Sequence, residues 1–136
     1  MDQRTPLHDF TWTALRIVTG LLIFSRGSAK VFGWFGGFGE SGTAELMSRF
    51  GIAGVLETAC GALIIIGLFT RPAAFLLSGM LAVAYFWIHA WGGSIWWWGN
   101  NGTLAMLFSF VFLFFAVWGG GPYSLDARRS GMDFKA

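Results

Sequence analysis

The 136-residue chain has one cysteine, Cys60, two histidines, and charged side chains at only 12% of its positions. A single cysteine excludes an internal disulfide, a CxxC redox pair and a thiolate metal cluster within the chain. A membrane haem held by this chain alone is excluded too, because His8 lies in the N-terminal tail and leaves His89 without a facing axial partner. No carboxylate–histidine group has metal-ligand spacing, no nucleophile–base–orienter triad is visible, and there is no P-loop. The net charge of +2 is too small and too scattered to hold nucleic acid. No catalytic residue, metal site or covalently bound cofactor is therefore assigned. Reacting atoms would have to come from a diffusible cofactor or another subunit.

Apolar residues make up 55% of the chain, with 15 Phe and 8 Trp among them, and the mean hydropathy is +0.61. A soluble domain averages about 25% charged residues, and a sphere this small needs more polar surface to stay dissolved. Disordered chains lack such aromatic mass. The surplus apolar surface is expected to face a lipid bilayer. A helix needs about 20 apolar residues to cross roughly 30 Å of hydrocarbon, and four segments approach this, at about 11–32, 51–69, 72–91 and 103–118. Pro72 falls at a first turn, where proline is tolerated. The expectation is an all-α integral membrane four-helix bundle, a single four-span domain over residues 1–136.

Arg16, Arg26 and Lys30 interrupt the first segment and no A-x-A-like cleavage site follows it, so it reads as a retained span and not a signal peptide. Arg4, Arg71, Arg128, Arg129 and Lys135 share one side of such a bundle, against Arg49 on the other. That asymmetry predicts both termini in the cytoplasm, in a bacterial-type inner (plasma) membrane. Trp91, Trp96, Trp97 and Trp98 then form an outer aromatic cluster. The first loop interleaves Gly33, Gly36, Gly37, Gly39 and Gly42 with Trp34, Phe35 and Phe38, a composition suited to folding back into the outer interface. Its Gly37-Phe38-Gly39-Glu40-Ser41-Gly42 spells GxGxxG, but that fingerprint requires a preceding strand and here follows a membrane span. Asn101-Gly102-Thr103 spells a glycosylation sequon, which has meaning only in a eukaryotic secretory pathway.

Charged residues at a span centre cost roughly 2.5–3.5 kcal/mol each on insertion scales, so those inside the spans mark candidate sites. At 100° per residue, Arg16, Arg26 and Lys30 fall within an arc of about 80°, in company with Gly20 and Gly27. That stripe is expected to face the bundle interior. At 1.5 Å per residue, Arg26, Lys30, Glu57 and His89 lie roughly 7, 13, 4 and 12 Å outside the midplane. With Asn100 and Asn101 at the rim, they are expected to share the outer half, Glu57 paired with Arg26 and Lys30 and His89 above that pair. Arg16 belongs to the inner half as a structural polar residue that snorkels to the cytoplasmic surface. Cys60 reads as an inert core filler. The plainer alternative for the cluster is a buried ion pair that only fixes helix register.

Several short stretches occur in a telling order: Arg16-Ile-Val-Thr-Gly20, then Gly27-Ser-Ala-Lys30-Val-Phe-Gly33-Trp-Phe-Gly-Gly37. Glu57 follows with Gly61 and Gly67-Leu-Phe-Thr-Arg71, then His89, Asn100-Asn101-Gly102 and Gly121-Pro-Tyr-Ser-Leu-Asp126. In this order the chain resembles the DoxX family of small four-span membrane proteins. Many members carry a glutamate shortly after the asparagine–glycine turn, where this chain has Thr103, Leu104 and Ala105. Arg26 likewise stands where a histidine or other polar residue is expected in many relatives. The resemblance implies a membrane subunit associated with quinone-linked or thiol/sulfur redox chemistry, akin to a thiosulfate:quinone oxidoreductase subunit.

Three functions fit these features. The first is a membrane subunit of a redox complex, with Arg26, Lys30, Glu57, His89 and Asn101 as the ligand or quinone-binding set and a quinone as the diffusible cofactor. The second is a non-catalytic accessory subunit that scaffolds a larger assembly of other membrane subunits or of its own copies. The third is transport of a small anion through the basic cluster. A subunit role is favoured over an autonomous enzyme.

Overall fold

The computed structural model describes residues 5–131; Arg4 and Lys135, two of the basic residues behind the expected orientation, lie outside them. Helix α1 runs Pro6–Phe32 and begins earlier than hydropathy suggests. His8 and Asp9 break the apolar run there, but the Thr5 hydroxyl accepts the His8 N–H and Pro6 fills the first turn. A cap, not an apolar residue, sets that start. Gly33 closes the helix in the left-handed region (φ 74°), its N–H donating to the Ala29 carbonyl.

Helix α2, Arg49–Ile66, starts on the Ser48 hydroxyl and stops at left-handed Gly67. Helix α3, Thr70–Ala84, follows almost at once and continues as a π-helical stretch, Tyr85–Ala90. Its start precedes the expected one because Asp126, far along the chain, caps it: Oδ1 accepts the Phe69 N–H at 2.9 Å and Oδ2 the Thr70 N–H at 2.8 Å. A short helix α4 (Trp97–Asn100) leads into α5 (Thr103–Trp118), whose bounds coincide with the expected segment. Helix α6 (Leu125–Arg129) is capped by Ser124. Among the described residues the secondary structure is all helical, apart from one isolated bridge between Phe38 and Gly42. The GxGxxG stretch thus has no strand before it.

The long helices pack as two close pairs, α1 on α2 and α3 on α5, joined chiefly through α2 and α3. The core between them is small: Ile23, Cys60, Ile64, Ala73, Ala74, Leu77, Leu81, Phe108, Phe112 and Phe115. Large apolar side chains face outward, Phe75 at 66% exposure and Trp87 at 62% among them. Such a surface in water would be an aggregation site; against acyl chains it is the solvated face. By length and composition, α2 and the α3–π-helix unit (Thr70–Ala90) can each cross a membrane, whereas α5 is shorter at 16 residues and α1, long enough at 27, is not apolar enough to join them.

Glycines set the antiparallel approach of α1 and α2. A Cβ on Gly27 would lie 2.5 Å from the Thr58 nitrogen and 2.7 Å from the Glu57 Cβ, and one on Gly54 2.8 Å from the Lys30 Cβ. Further along, Gly61 abuts the Phe24 backbone and Gly20 the side chain of Ile65. Close backbone approach through small residues is what holds helices together where lipid removes the hydrophobic drive. Gly27→Leu should therefore destabilise the protein by about 1–3 kcal/mol through overpacking. Gly79 of α3 has open space around it, and Gly79→Ala should be neutral or stabilising by up to about 1 kcal/mol. Thermal unfolding in detergent micelles checks both.

Candidate functional site

The α1–α2 approach buries one ion pair. Lys30, in the last turn of α1, donates from Nζ to Glu57 Oε2 at 2.7 Å, with the residues 9% and 2% exposed. The lysine stem runs over Gly54, and the space that a side chain on Gly27 would fill lets α2 bring Glu57 close. The glycine-rich loop folds back over this end of the helices: Ala44 N–H donates to the Lys30 carbonyl at 2.7 Å, and Phe38 packs on Phe50. An ammonium carries three donors, and only one is used among the described residues.

Arg26 does not take the place expected for it. It is exposed and has no carboxylate partner among the described residues, while Glu57 turns to Lys30 instead. The physical reason is rotational. Arg26 stands about 100° round α1 from Gly27, and Gly27 is where α2 makes its closest approach. The arc joining Arg16, Arg26 and Lys30 was centred too near Arg26.

His89 and the asparagines also stand apart from the pair, in the connection between α3 and α5. His89 Nδ1 lies 3.0 Å from the Asn100 carbonyl oxygen. Asn100 works as a turn residue: its Oδ1 accepts the Gly102 N–H at 2.7 Å and its Nδ2 donates to the Ser94 carbonyl at 2.9 Å. Asn101 is exposed and left-handed (φ 57°), so it shapes the turn with its backbone. Counting residues gave these groups a common depth but could not say which helix pair would hold each. The π-helical stretch adds a further departure, since its wider turn rotates His89 away from the α-helical phase. Tyr85, which the sequence reading passed over, is buried beside Gly102 and donates its hydroxyl to the Ile95 carbonyl at 2.6 Å.

Arg16 does not snorkel. It is 2% exposed; Nη1 donates to the carbonyls of Ile64 and Ile65 at 3.0 and 2.9 Å, and Nη2 to that of Tyr123 at 3.0 Å. It thereby takes the Ile65 carbonyl at the end of α2, shares that of Ile64 with the Gly67 N–H, and ties down the segment before α6. With the Asp126 cap on α3, it locks the far end of the bundle. Asp126 carried no signal of its own in the sequence beyond its place in the Gly121–Asp126 stretch.

Among the described residues, no three His, Cys, Asp or Glu side chains lie close enough together to hold a metal ion. A quinone needs apolar walls and a donor for its carbonyl in one place. An apolar groove of about 450 Å³ runs along α3, lined by Ala82, Val83, Phe86, Trp87 and Trp91, but Lys30 and Glu57 are not in it. The expected quinone set is thus divided, and no step through a quinone follows from this geometry.

Apolar outward faces, glycine-mediated helix contacts and an internal ion pair define a small helical membrane protein. Residues 11–90 match the DoxX family model, and the chain belongs to the DoxX family. It is 41% identical over 120 residues to an uncharacterised protein of Haemophilus influenzae, a match covering 84% of this chain and 87% of that protein. No solved structure matches the chain. The family match takes in Arg16, Lys30, Glu57 and His89 but ends before the Asn100–Gly102 turn and the Gly121–Asp126 stretch.

Removing one member of a buried pair leaves an uncompensated charge, whereas removing both does not. Lys30→Met or Glu57→Leu alone should destabilise the protein by about 3–5 kcal/mol, and the double variant by clearly less than the sum. Detergent unfolding of the four proteins in the cycle measures the coupling. Strict additivity would mean that the pair does not form.

Proposed function

We propose that this DoxX-family chain is a non-autonomous, four-span subunit of a quinone-linked or thiol/sulfur redox assembly in a bacterial-type inner membrane, with both termini in the cytoplasm. The observation that carries the subunit reading is Arg26. Of the three cations on α1 inside the apolar region, Arg16 is bonded to carbonyls and Lys30 is paired, while Arg26 faces outward with no partner among the described residues. An intramembrane cation marks a functional position and calls for a partner group. On an outward face, that group belongs to a neighbouring membrane subunit offering a carboxylate or carbonyls. The redox assignment rests on the family resemblance, and the reacting group is assigned to the neighbour. The four-span topology is supported by the length of α1, about 40 Å at 1.5 Å per residue, and by the position of Arg71, Arg128 and Arg129 at the end opposite Arg49.

A second reading is favoured by the spare donors of Lys30. In it the Lys30–Glu57 end receives a quinone carbonyl or a small anion that enters under the glycine-rich loop.

The test is extraction from native membranes in mild detergent, followed by sizing, mass spectrometry and a quinone-reduction assay on the isolated particle. The proposal expects a fixed membrane partner and redox turnover, both lost in Arg26→Leu and retained in Arg49→Gln. A particle containing this chain alone, or an assembly indifferent to Arg26→Leu, would contradict the subunit reading. A fixed assembly without redox turnover would leave the scaffold and remove the redox assignment.

A further inference from the structure

The bundle end opposite Lys30 and Glu57 holds a pocket of about 510 Å³, bounded by Trp12 of α1, the first turn of α3 and the glycine-rich segment after α5. Its size is within the usual range for small-ligand sites, about 300–1,000 Å³. Arg71 stands in its wall, exposed and without a carboxylate partner among the described residues. The acid in the same wall, Asp126, is already committed, both of its oxygens accepting N–H groups at the start of α3. Thr70, also in the wall, is fully buried, and its hydroxyl has no hydrogen-bond partner among the described residues. That hydroxyl sits against another wall residue, Gly120, where a Cβ would lie 2.7 Å from it. The wall therefore presents a guanidinium without a partner among the described residues, while the Thr70 hydroxyl is sealed behind Gly120 and Ser124.

The surroundings indicate the kind of ligand. Trp118 lines the pocket and is 61% exposed, and Trp12 is held in place by its indole N–H on the Gly119 carbonyl at 3.2 Å. Indoles of this kind belong at headgroup depth. Arg128 and Arg129 at the end of α6 add positive charge nearby. Basic pockets beside membrane helices at headgroup depth take lipid phosphates, and a guanidinium fork matches phosphate oxygens. We infer that this pocket binds the phosphodiester of an anionic phospholipid, with Arg71 as the donor and Trp12 and Trp118 flanking the acyl-glycerol. The inference is independent of any redox role.

The test uses the full chain in detergent, with dioleoylphosphatidylglycerol, dioleoylphosphatidylcholine or inorganic phosphate added, read by native mass spectrometry. Phosphatidylglycerol should be retained about tenfold more than phosphatidylcholine, whose phosphodiester carries a choline cation that Arg71 repels. Arg71→Gln should abolish that preference, and Arg71→Lys should keep part of it. Arg49→Gln, at the other end of the bundle, should leave it intact, and millimolar phosphate should not displace the lipid. Equal retention of the two lipids by the unaltered chain, an unchanged preference in Arg71→Gln, or an equal loss in Arg49→Gln would overturn the inference. Displacement by inorganic phosphate would assign the pocket to a soluble anion and overturn the lipid assignment.

Discussion

Lys30 and Glu57 meet because nothing stands between α1 and α2 at Gly27 and Gly54. A charge inside an apolar bundle is tolerable only with its counter-charge within hydrogen-bond reach. That reach exists here because two backbones come closer than any side chain on those glycines would permit. The same register continues down the helices through Gly61 and Gly20 to Arg16, which closes the far end on the carbonyls of Ile64 and Ile65. One helix–helix contact thus positions both buried cations of α1. The outward direction of Arg26 is the other consequence of that choice of face.

The two ends of the bundle are built differently. At one end a glycine-rich loop folds over an ion pair in which only one of the lysine's hydrogens is committed among the described residues. At the other, Arg16 and Asp126 serve helix ends in complementary ways, the guanidinium donating to the last carbonyls of α2 and the carboxylate accepting the first N–H groups of α3. Both devices replace water that a lipid-embedded helix end cannot recruit from the hydrocarbon. The first end keeps polar capacity in reserve, and the second uses most of it, leaving Arg71 and the buried Arg16 Nε and Thr70 hydroxyl without partners among the described residues.

The helical type and approximate positions of the four long helices were legible in the sequence because they follow from apolar run length, whereas the short helices α4 and α6 lie in polar or glycine-rich connections and were not expected. The bounds of α5 coincide with expectation because glycines flank an apolar run in which only Thr103 and Ser109 are polar. The start of α1 was missed because Thr5 and Pro6 act by hydrogen bonding and backbone geometry, to which hydropathy is blind. The start of α3 was missed because its cap comes from Asp126, a contact made only after the chain folds. At the site, the importance of Lys30 and Glu57 could be read from their cost in an apolar run, but not which cation would win. Arg26 and Lys30 are one helical turn apart, and a rotation of α1 by a few tens of degrees decides between them. His89 was misplaced because a residue count gives depth but not helix pairing, and it lies in the connection between α3 and α5.

The decisive quantity is the separation of Lys30 Nζ from the Glu57 carboxylate in a lipid bilayer. Nitrogen–carbon dipolar recoupling on chain carrying labelled lysine and glutamate measures it, with Glu57→Gln assigning the signal. A strong coupling, as an N···O distance of 2.7 Å demands, and its disappearance in the variant are predicted. No coupling in the unaltered chain, or a coupling from Glu57 to an arginine guanidinium in its place, would contradict the account.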